Sequence, residues 1–243
     1  MIIINADDWG RSERETDAAL STYKRGRITS ASAMVFMRDS GRAADLAKDA
    51  GIDVGLHFNL SEHFSGEVPA GRLREYHERV VHFLTRYKYS FLIYNPALRR
   101  EFRYMYQAQI EEFFRLYGRL PSHIDGHQHK HLCANILLDS VIPEGQKVRR
   151  NFFFWPEEKS RMNRAYRHFS DSLLTRRYGS TDYFFALSQC LRNDRLTRVV
   201  ELAKTRTVEL MAHPANPTEH ARLMGDDYLV YLAGLEKGTY SLL

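Results

Sequence analysis

Cysteine is scarce in this sequence, and segments that would direct a chain into or across a membrane are missing. Only Cys133 and Cys190 occur among the 243 residues, and they lack the spacing of a metal site. Two cysteines are too few for a disulfide framework, so a reducing compartment is the expectation. The N-terminus has no basic region, its apolar run is too short for a signal peptide, and no stretch approaches transmembrane length. Together these absences predict a cytoplasmic protein.

The sequence also has no internal repeat, no low-complexity tract and no clear linker. A single domain over residues 1–243 is the simplest interpretation, because one α/β barrel takes about 250 residues. The sequence has 35 Lys and Arg and 30 Asp and Glu. The resulting formal net charge of +5 is spread along the chain. This excess does not indicate nucleic acid, whereas an anionic substrate or anionic lipid is compatible with it. The oligomeric state stays open, with a homodimer as one alternative.

Strand and helix patterns alternate along most of the chain. An apolar run at residues 1–10 predicts a buried strand, and the capping box of Ser12 and Glu15 predicts a helix that ends at Arg25. This rhythm predicts an α/β fold of seven or eight mostly parallel strands with right-handed crossovers. Further strands are predicted over 28–36, 52–60, 122–125, 147–150, 182–187 and 207–211, with 239–242 as a candidate eighth. Further helices are predicted over 40–50, 96–117, 131–141 and 194–204.

An insert over residues 61–119 interrupts the alternation. Pro69 and Gly71 mark an irregular loop in it, and the rest is dense in Tyr, Phe and Arg. Sugars stack on aromatic faces and Arg pairs with phosphate or carboxylate, so the insert is a candidate cover for a substrate site. The alternative is that its aromatic residues form helix core. Its basic residues also raise the hypothesis of weak attachment to an anionic membrane surface.

Two adjacent carboxylates follow the first strand. Asp7 and Asp8 are expected at the carboxyl edge of the sheet, where α/β folds place ligands and catalytic groups. Neighbouring carboxylates repel each other, and a divalent metal ion beside them relieves that repulsion. The alternative is an ordinary turn with solvated Asp side chains.

A histidine-rich segment at the end of the fourth predicted strand is the strongest local signal. Alternate residues of a strand share one face, so its polar side chains are expected together. Histidine is a common metal ligand, and Asp125 is a candidate acceptor for its second ring nitrogen. His127 is the first choice as ligand and His129 the alternative; a solvated polar loop is the competing interpretation. The alternating residues are His123, Asp125, His127, His129 and His131.

Two further histidines end predicted strands. With Asp8 and His127, His57 would complete a metal site of two histidines and one carboxylate that leaves positions open for water. A core position is the alternative for His57. His213, which Pro214 follows, is a candidate general acid or base, with a structural role beside a turn as its alternative.

Two arginines end another predicted strand. Arg149 and Arg150 are candidates to bind a carboxylate of the substrate or to orient Asp7. Asp182, at the start of the next strand, is a weaker candidate, because a turn residue explains it equally well.

Four motifs in this order resemble the YdjC-like carbohydrate deacetylases, which include chitooligosaccharide and hopanoid-biosynthesis deacetylases. The resemblance implies an irregular (β/α) barrel related to polysaccharide deacetylases. It also implies hydrolysis of an N-acetyl group on a sugar with one divalent ion, Mg²⁺ first and Zn²⁺ or another transition metal as the alternative. The motifs are residues 5–10 (NADDWG), 55–57 (GLH), 123–129 (HIDGHQH) and 211–214 (MAHP).

The resemblance also implies roles for individual residues. Asp8, His57 and His127 correspond to metal ligands, Asp7 to the base and His213 to the acid. Three positions depart from the family pattern: Trp9 replaces a usual Phe, Arg150 and Asn151 follow Arg149 where a Pro is common, and Ala215 replaces a usual Gly. The residues expected to support these groups or to contact substrate are Asp125, His129, Arg149 and Trp9.

Two other functions compete with deacetylation. A metal-dependent phosphoesterase uses similar sets of Asp and His. A sugar- or lipid-binding module with a vestigial site is the non-enzymatic alternative. The presence of all five residues that catalysis would require, Asp7, Asp8, His57, His127 and His213, argues against the binding module.

Overall fold

The computed structural model describes residues 1–68, 71–191 and 195–243, and this part of the chain forms seven strands and ten α-helices. The strands are β1 (Ile2–Trp9), β2 (Ser30–Ala33), β3 (Asp53–Phe58), β4 (Ile124–Gly126), β5 (Tyr183–Ala186), β6 (Val208–Ala212) and β7 (Lys237–Gly238). The helices are α1 (Glu13–Lys24), α2 (Ser40–Ala50), α3 (Arg72–Thr85), α4 (Arg99–Tyr117), α5 (Ala134–Leu138), α6 (Arg161–Arg177), α7 (Leu187–Cys190), α8 (Arg195–Ala203), α9 (Pro217–Met224) and α10 (Asp226–Leu232). Short 3₁₀ segments cover Ser90–Leu92, Pro96–Leu98, His127–Leu132 and Tyr240–Leu242.

The sheet has β1 near its centre and runs in the order β4-β3-β2-β1-β6-β5, with every pair parallel. β7 pairs with the first residues of β1. Beyond β4, two single bridges join Ile124 to Val148 and Lys147 to Gly179. These bridges continue the curl of the sheet toward β5. The expected α/β fold, an irregular barrel of mostly parallel strands, is confirmed.

β1 owes its central position to its composition. All eight of its residues are buried, and Ile2, Ile3 and Ile4 have no exposed surface. A parallel strand covered on both faces needs such a continuous apolar run. Each buried Ile contributes about 1.5–3 kcal/mol relative to an exposed one. The carboxyl end of this strand, with Asp7 and Asp8, is thereby fixed in the middle of one rim of the sheet.

Several predicted elements differ from the structure. Residues 147–150 form bridges instead of a strand, and the last strand is β7, because residues 240–242 turn into a 3₁₀ segment. The helix predicted over 131–141 is reduced to α5, because the preceding chain turns sharply with positive φ at Gln128 and His129. The start of the helix predicted at Asp194 and the Pro69 part of the loop lie outside the described residues.

The insert consists of two helices, α3 and α4, that pack on each other, and α4 also packs on α2 and β3. Four aromatic residues of α4 are buried, so in this helix they are core. They are Phe102, Tyr106, Phe113 and Tyr117. Exposed aromatic residues of the insert lie mostly between the helices, at Tyr87, Tyr89 and Tyr94, and Phe114 is exposed on α4 itself. A search of the described helices finds none with the length and apolarity of a membrane span.

Candidate active site

Three side chains meet at the carboxyl ends of β1, β3 and β4. The Asp8 Oδ1 atom lies 3.1 Å from His127 Nδ1 and 3.4 Å from His57 Nε2, and the two ring nitrogens are 3.3 Å apart. Each residue thus offers one donor atom to a common point, which is the arrangement that a metal ion requires. One carboxylate and two imidazoles suit a divalent metal.

A bulge at the end of β1 brings both adjacent aspartates to this site. The pairing of β1 with β2 shifts register between Ala6 and Trp9, and Asp8 has a positive φ of 66°. Asp tolerates this left-handed conformation better than most residues. In a regular strand Asp7 and Asp8 would point to opposite faces, and the bulge removes that constraint.

Two carboxylates contact the histidine ring nitrogens that do not face the cluster. His57 Nδ1 donates to Asp125 Oδ1 at 2.7 Å, and His127 Nε2 lies 3.1 Å from Glu62 Oε2. Such partners fix the tautomer and orientation of a metal-binding histidine. The sequence predicted this role for Asp125. Glu62 was missed, because its place depends on a turn in which Asn59 Oδ1 accepts from the backbone N–H of Glu62.

The electrostatics of the cluster favour a positive charge. Burial alone lowers the pKa of His57, but the carboxylates of Asp125, Asp7 and Asp8 outweigh burial and raise that pKa to about 10. Burial raises the pKa of Asp8, but hydrogen bonds from His127 and His57 hold it far below its usual range. A divalent cation among these atoms would satisfy the carboxylates and leave the rings free to act as neutral ligands. The donor set therefore fits a metal ion.

Asp7 is held by a fully buried arginine. Arg149 donates from its two terminal nitrogens to both Asp7 oxygens, at 2.8 and 2.7 Å, and from Nε to Glu209 Oε1 at 2.8 Å. Its guanidinium also lies 2.6 Å from Asp125 Oδ2. Asp7, His57 and Asp125 form a second set within ligand distance, but Arg149 already supplies its positive charge. The set around Asp8 is therefore the better metal candidate.

The neighbouring Arg150 does not contact Asp7. It binds the Asp171 carboxylate at 3.0 Å and the backbone oxygens of Thr181 and Asp182. Of the two arginines predicted to orient Asp7, the structure brings only Arg149 to it.

Glu209 and Tyr240 complete this buried network, and neither was predicted. Burial raises the pKa of Glu209 to about 7, although Arg149 partly offsets that effect. The Tyr240 hydroxyl donates to Glu209 Oε2. Glu209 is one residue of a strand that otherwise reads as apolar, and a buried Glu in that position is the one signal that pointed to a partner.

His213 lines a cavity of about 230 Å³ together with Asp7 and Asp8. Its ring is half-buried, with Nδ1 3.6 Å from Glu219 Oε1, and its backbone N–H donates to Glu219 Oε2 at 2.7 Å. Burial lowers the pKa of His213, but the interactions with Glu219 and the two aspartates raise it above its ordinary value. Glu219, on the following helix, was not predicted.

The remaining histidines of the 123–131 segment do not join the cluster. His123 contacts Ser32 Oγ at 3.0 Å, and His131 Nε2 donates to the Arg149 carbonyl. The positive φ of His129 turns its ring away, and it packs against Phe152 with centroids 4.5 Å apart. The shared face expected for this segment ends at His127, because the chain leaves the strand there.

Trp9 is core instead of a substrate contact. Its side chain has no exposed surface, and its indole N–H donates to the Ala43 carbonyl at 3.1 Å.

Comparison with known proteins finds a matching family and several similar proteins. A family model described as YdjC-like protein matches residues 1–235. A carbohydrate deacetylase of Mus musculus is 28% identical over 89% of this chain and 78% of its own, and one of Geobacillus stearothermophilus is 29% identical over 88% and 78%. A chitooligosaccharide deacetylase of Serratia marcescens is 29% identical over 88% and 81%.

The fold also occurs among solved structures. One of them is a crystal structure described as a candidate cellobiose-phosphate cleavage protein from Enterococcus faecalis, with a TM-score of 0.70 over 99% of this chain and 97% of the other. At 18% sequence identity this likeness concerns the fold alone.

Proposed function

The chain belongs to the YdjC-like protein family, and on this premise we propose that it is a carbohydrate N-deacetylase, a hydrolase that cleaves an N-acetyl group from a sugar. The observation that carries the proposal is the meeting of Asp8, His57 and His127 beside a cavity that also contains Asp7 and His213. The substrate class comes from the relatives that are named carbohydrate and chitooligosaccharide deacetylases. Residues 1–243 would act as one catalytic domain.

The metal ion would be held by Asp8 Oδ1, His57 Nε2 and His127 Nδ1. A divalent ion bound there supplies a Lewis acid that polarises the acetyl carbonyl and lowers the pKa of a water molecule. Mg²⁺ is the ion that the family resemblance implies, but two imidazole nitrogens among three donors suit Zn²⁺ or another transition metal at least as well. Metal analysis of the purified protein, followed by chelation and reconstitution with each ion, identifies it.

Asp7 is the proposed general base. Its carboxylate opens on the cavity while Arg149 holds both oxygens in a fixed orientation. A base positioned in this way removes the proton from the attacking water. We expect Arg149 to orient Asp7, because its guanidinium is fully buried and cannot reach the substrate.

His213 is the proposed general acid. The interactions with Glu219 and the two aspartates raise its pKa above the ordinary value, which favours the protonated ring. The ring can then donate a proton to the leaving amine, which an amide needs before its C–N bond breaks.

Acetate release tests these roles. Asp7→Asn and His213→Ala should each lower release from N-acetylated oligosaccharides by about 10²–10⁴-fold while metal content is retained. The exposed residues Asp45 and His82 provide matched controls, and Asp45→Asn and His82→Ala should keep wild-type activity. Near wild-type release by both active-site variants would remove the acid–base assignment. A phosphomonoester in the same panel tests the phosphoesterase alternative, and saturable sugar binding without product would favour the binding module.

We also propose that the loop between α3 and α4 gives weak contact with an anionic membrane surface. Tyr87, Tyr89 and Ile93 are exposed there beside Arg86 and Lys88. Tyr and basic residues together suit the interfacial layer of a bilayer. The loop lies beside the active-site rim, because the ammonium group of Lys130, three residues after His127, lies 5.5 Å from the centre of the Phe91 ring. A lipid-linked N-acetylated glycan would then reach the site from the cytoplasmic leaflet.

Co-sedimentation with anionic liposomes at low and high salt tests this contact. Binding at low salt should fall when Tyr87 and Tyr89 are both changed to Ser, while acetate release from free oligosaccharides stays unchanged. Absence of low-salt binding would leave a free oligosaccharide as the substrate. Light scattering of the protein without liposomes tests the homodimer alternative.

A further inference from the structure

A second cavity, of about 890 Å³, lies between residues 150–156, the first three turns of α6 and the start of β5. It shares no lining residue with the cavity of about 230 Å³ that contains Asp7, Asp8 and His213. Its volume is in the range of sites that hold a small organic ligand. The proposed deacetylation gives it no role.

The cavity carries an excess of positive charge. Five arginines line it, and one of them, Arg150, is paired with Asp171. Among the described residues, none of the other four lies within 4 Å of a carboxylate; they are Arg161, Arg164, Arg167 and Arg206. The two carboxylates of the cavity are engaged elsewhere. Asp171 pairs with Arg150, and Asp182 accepts from the backbone N–H of Thr207. The lining therefore carries more positive than negative charge, and these four arginines have no ion pair among the described residues.

The positive charge of Arg167 is energetically unfavourable in its position. Its guanidinium is partly buried, and burial lowers its pKa despite the more distant Asp171. Its Nε donates only to the amide oxygen of Asn163, at 2.8 Å. An anion bound in the cavity would remove this cost.

Three phenylalanines, Phe152, Phe153 and Phe154, form an aromatic wall of the same cavity. Phe154 has the Arg167 guanidinium 4.9 Å from its ring centre, and Phe152 stacks on Phe184 with centroids 4.6 Å apart. Rings flanked by arginines suit a ligand that joins an anionic group to a flat ring or an apolar chain. A bare inorganic ion would use only the arginine side of this space.

The aromatic wall is also the partition between this cavity and the active site. Phe184 lies 4.9 Å from the Arg149 guanidinium, and His129 packs on Phe152. Two stacked rings, Phe152 and Phe184, would therefore separate a ligand in the cavity from the arginine that holds Asp7.

We propose that this cavity binds the diphosphate group of a ligand that also carries a ring or an apolar chain. Four arginines match the two to three negative charges of a diphosphate better than the single charge of a carboxylate. The planar guanidinium pairs with phosphate oxygens through two parallel hydrogen bonds. A nucleoside diphosphate and an isoprenyl diphosphate share this chemistry, and both fit a wall of Phe rings. The proposal goes beyond deacetylation, since binding here requires neither metal nor turnover.

Calorimetric titration of the full chain in the presence of a chelator tests the site, since the chelator removes diphosphate binding through a metal ion. The probes are inorganic pyrophosphate, uridine diphosphate and geranyl diphosphate. At least one of the two organic diphosphates should bind saturably and more tightly than pyrophosphate, with an affinity that falls as salt rises. Tighter binding of uridine diphosphate assigns the aromatic wall to a base, and tighter binding of geranyl diphosphate assigns it to a lipid chain.

Arginine variants locate the binding. Arg164→Gln combined with Arg206→Gln should weaken the best probe at least tenfold without changing the unfolding temperature, since both side chains are exposed. Arg115→Gln, which removes an exposed arginine already paired with Glu112, is the matched control and should leave affinity unchanged. Absence of saturable binding by all three probes, or equal affinity in the double variant, would overturn the proposal.

Discussion

The network around Arg149 and the wall of the larger cavity are both rich in charge, but they are built in opposite ways. Arg149 has no exposed surface and touches three carboxylates, those of Asp7, Asp125 and Glu209. Arg164 and Arg206 are exposed, and among the described residues neither has a carboxylate within 4 Å. The first set of charges is satisfied by the protein itself, and the second is left for something from outside.

This difference separates two uses of arginine. A buried arginine with matched partners fixes geometry, because every hydrogen bond restricts the side chains that it joins. An exposed arginine without partners contributes little to the fold and is available for recognition. Stability measurements and binding measurements should therefore respond to opposite sets of mutations.

The largest effect is expected from breaking the buried network. Arg149→Met would leave three carboxylates without their counter-charge, and removal of one partner of a buried ion pair costs about 3–5 kcal/mol. The midpoint of urea unfolding measures this loss, and Arg115→Met, at an exposed pair, provides the control. A midpoint close to wild type would show that water or rearrangement satisfies the carboxylates. Arg149→Lys should recover part of the loss, because it restores the charge but not the paired hydrogen bonds.

The buried residue His77 provides a second test of the same rule, that a buried charge needs an opposite charge beside it. Burial, and next the charge of His63, lower the pKa of His77 to about 4, and its ring stacks on Phe64 with centroids 3.6 Å apart. Its folded-state pKa is thus below its unfolded value of about 6.5. Between these values the unfolded chain binds more protons, so stability falls as pH decreases from about 6.5 toward 4, by at most about 3 kcal/mol from this residue.

His77→Phe should reduce that acid sensitivity. Urea midpoints measured near neutral pH and near about pH 4.5 should differ less for the variant than for wild type. His82→Phe, at an exposed position of the same helix, should leave the pH dependence unchanged. Equal pH dependence in both variants would mean that His77 becomes protonated in the folded protein.

Glu62 is intermediate between the buried network of Arg149 and the exposed cavity wall. It is partly exposed, and its carboxylate contacts both the candidate ligand His127 and Arg11. Its carboxylate is 3.1 Å from His127 Nε2 and accepts from Arg11 Nε at 3.0 Å. Glu62→Gln should weaken metal binding by about 10–100-fold, as loss of a carboxylate behind a metal-binding histidine typically does. Competition with a chromogenic chelator measures the affinity, with Glu67→Gln, in the following loop, as control. Unchanged affinity would separate Glu62 from the metal site.

The smallest effect on stability is expected at the cavity wall. The double substitution of Arg164 and Arg206 to Gln should change the free energy of unfolding by less than about 0.5 kcal/mol, because the removed charges have no partners to lose. A small increase in stability would indicate repulsion among the arginines. Destabilisation as large as that of Arg149→Met would erase the contrast between the two regions.

The sequence predicted the parts that depend on local pattern. The run of Ile residues identified β1, and polar residues at three strand ends predicted that Asp8, His57 and His127 would lie together. Parallel strands bring their carboxyl ends to one rim, so strand ends suffice to locate such a meeting.

What could not be predicted depends on contacts between distant segments or on apolar residues that stay exposed. Glu62, Glu209 and Tyr240 act through partners from about 30 to 65 residues away, and nothing local marks that pairing. The sequence did not predict helix α6, for a different reason. Only Ser170 and Leu174 of its residues are buried, while Met162 and Phe169 are exposed, so its sequence lacks the apolar stripe that signals a helix.

The central place of β1 has a consequence for biosynthesis. This strand leaves the ribosome before its partner strands, and β2 soon covers one edge, but its other edge pairs with β6, some 200 residues later in the chain. Until β6 is made, a strand with three consecutive Ile residues presents unpaired backbone groups, the kind of edge that recruits other chains. Slow translation of the intervening helices would prolong this exposure. The same apolar run that secures the finished sheet is thus the segment of the nascent chain in greatest need of a chaperone.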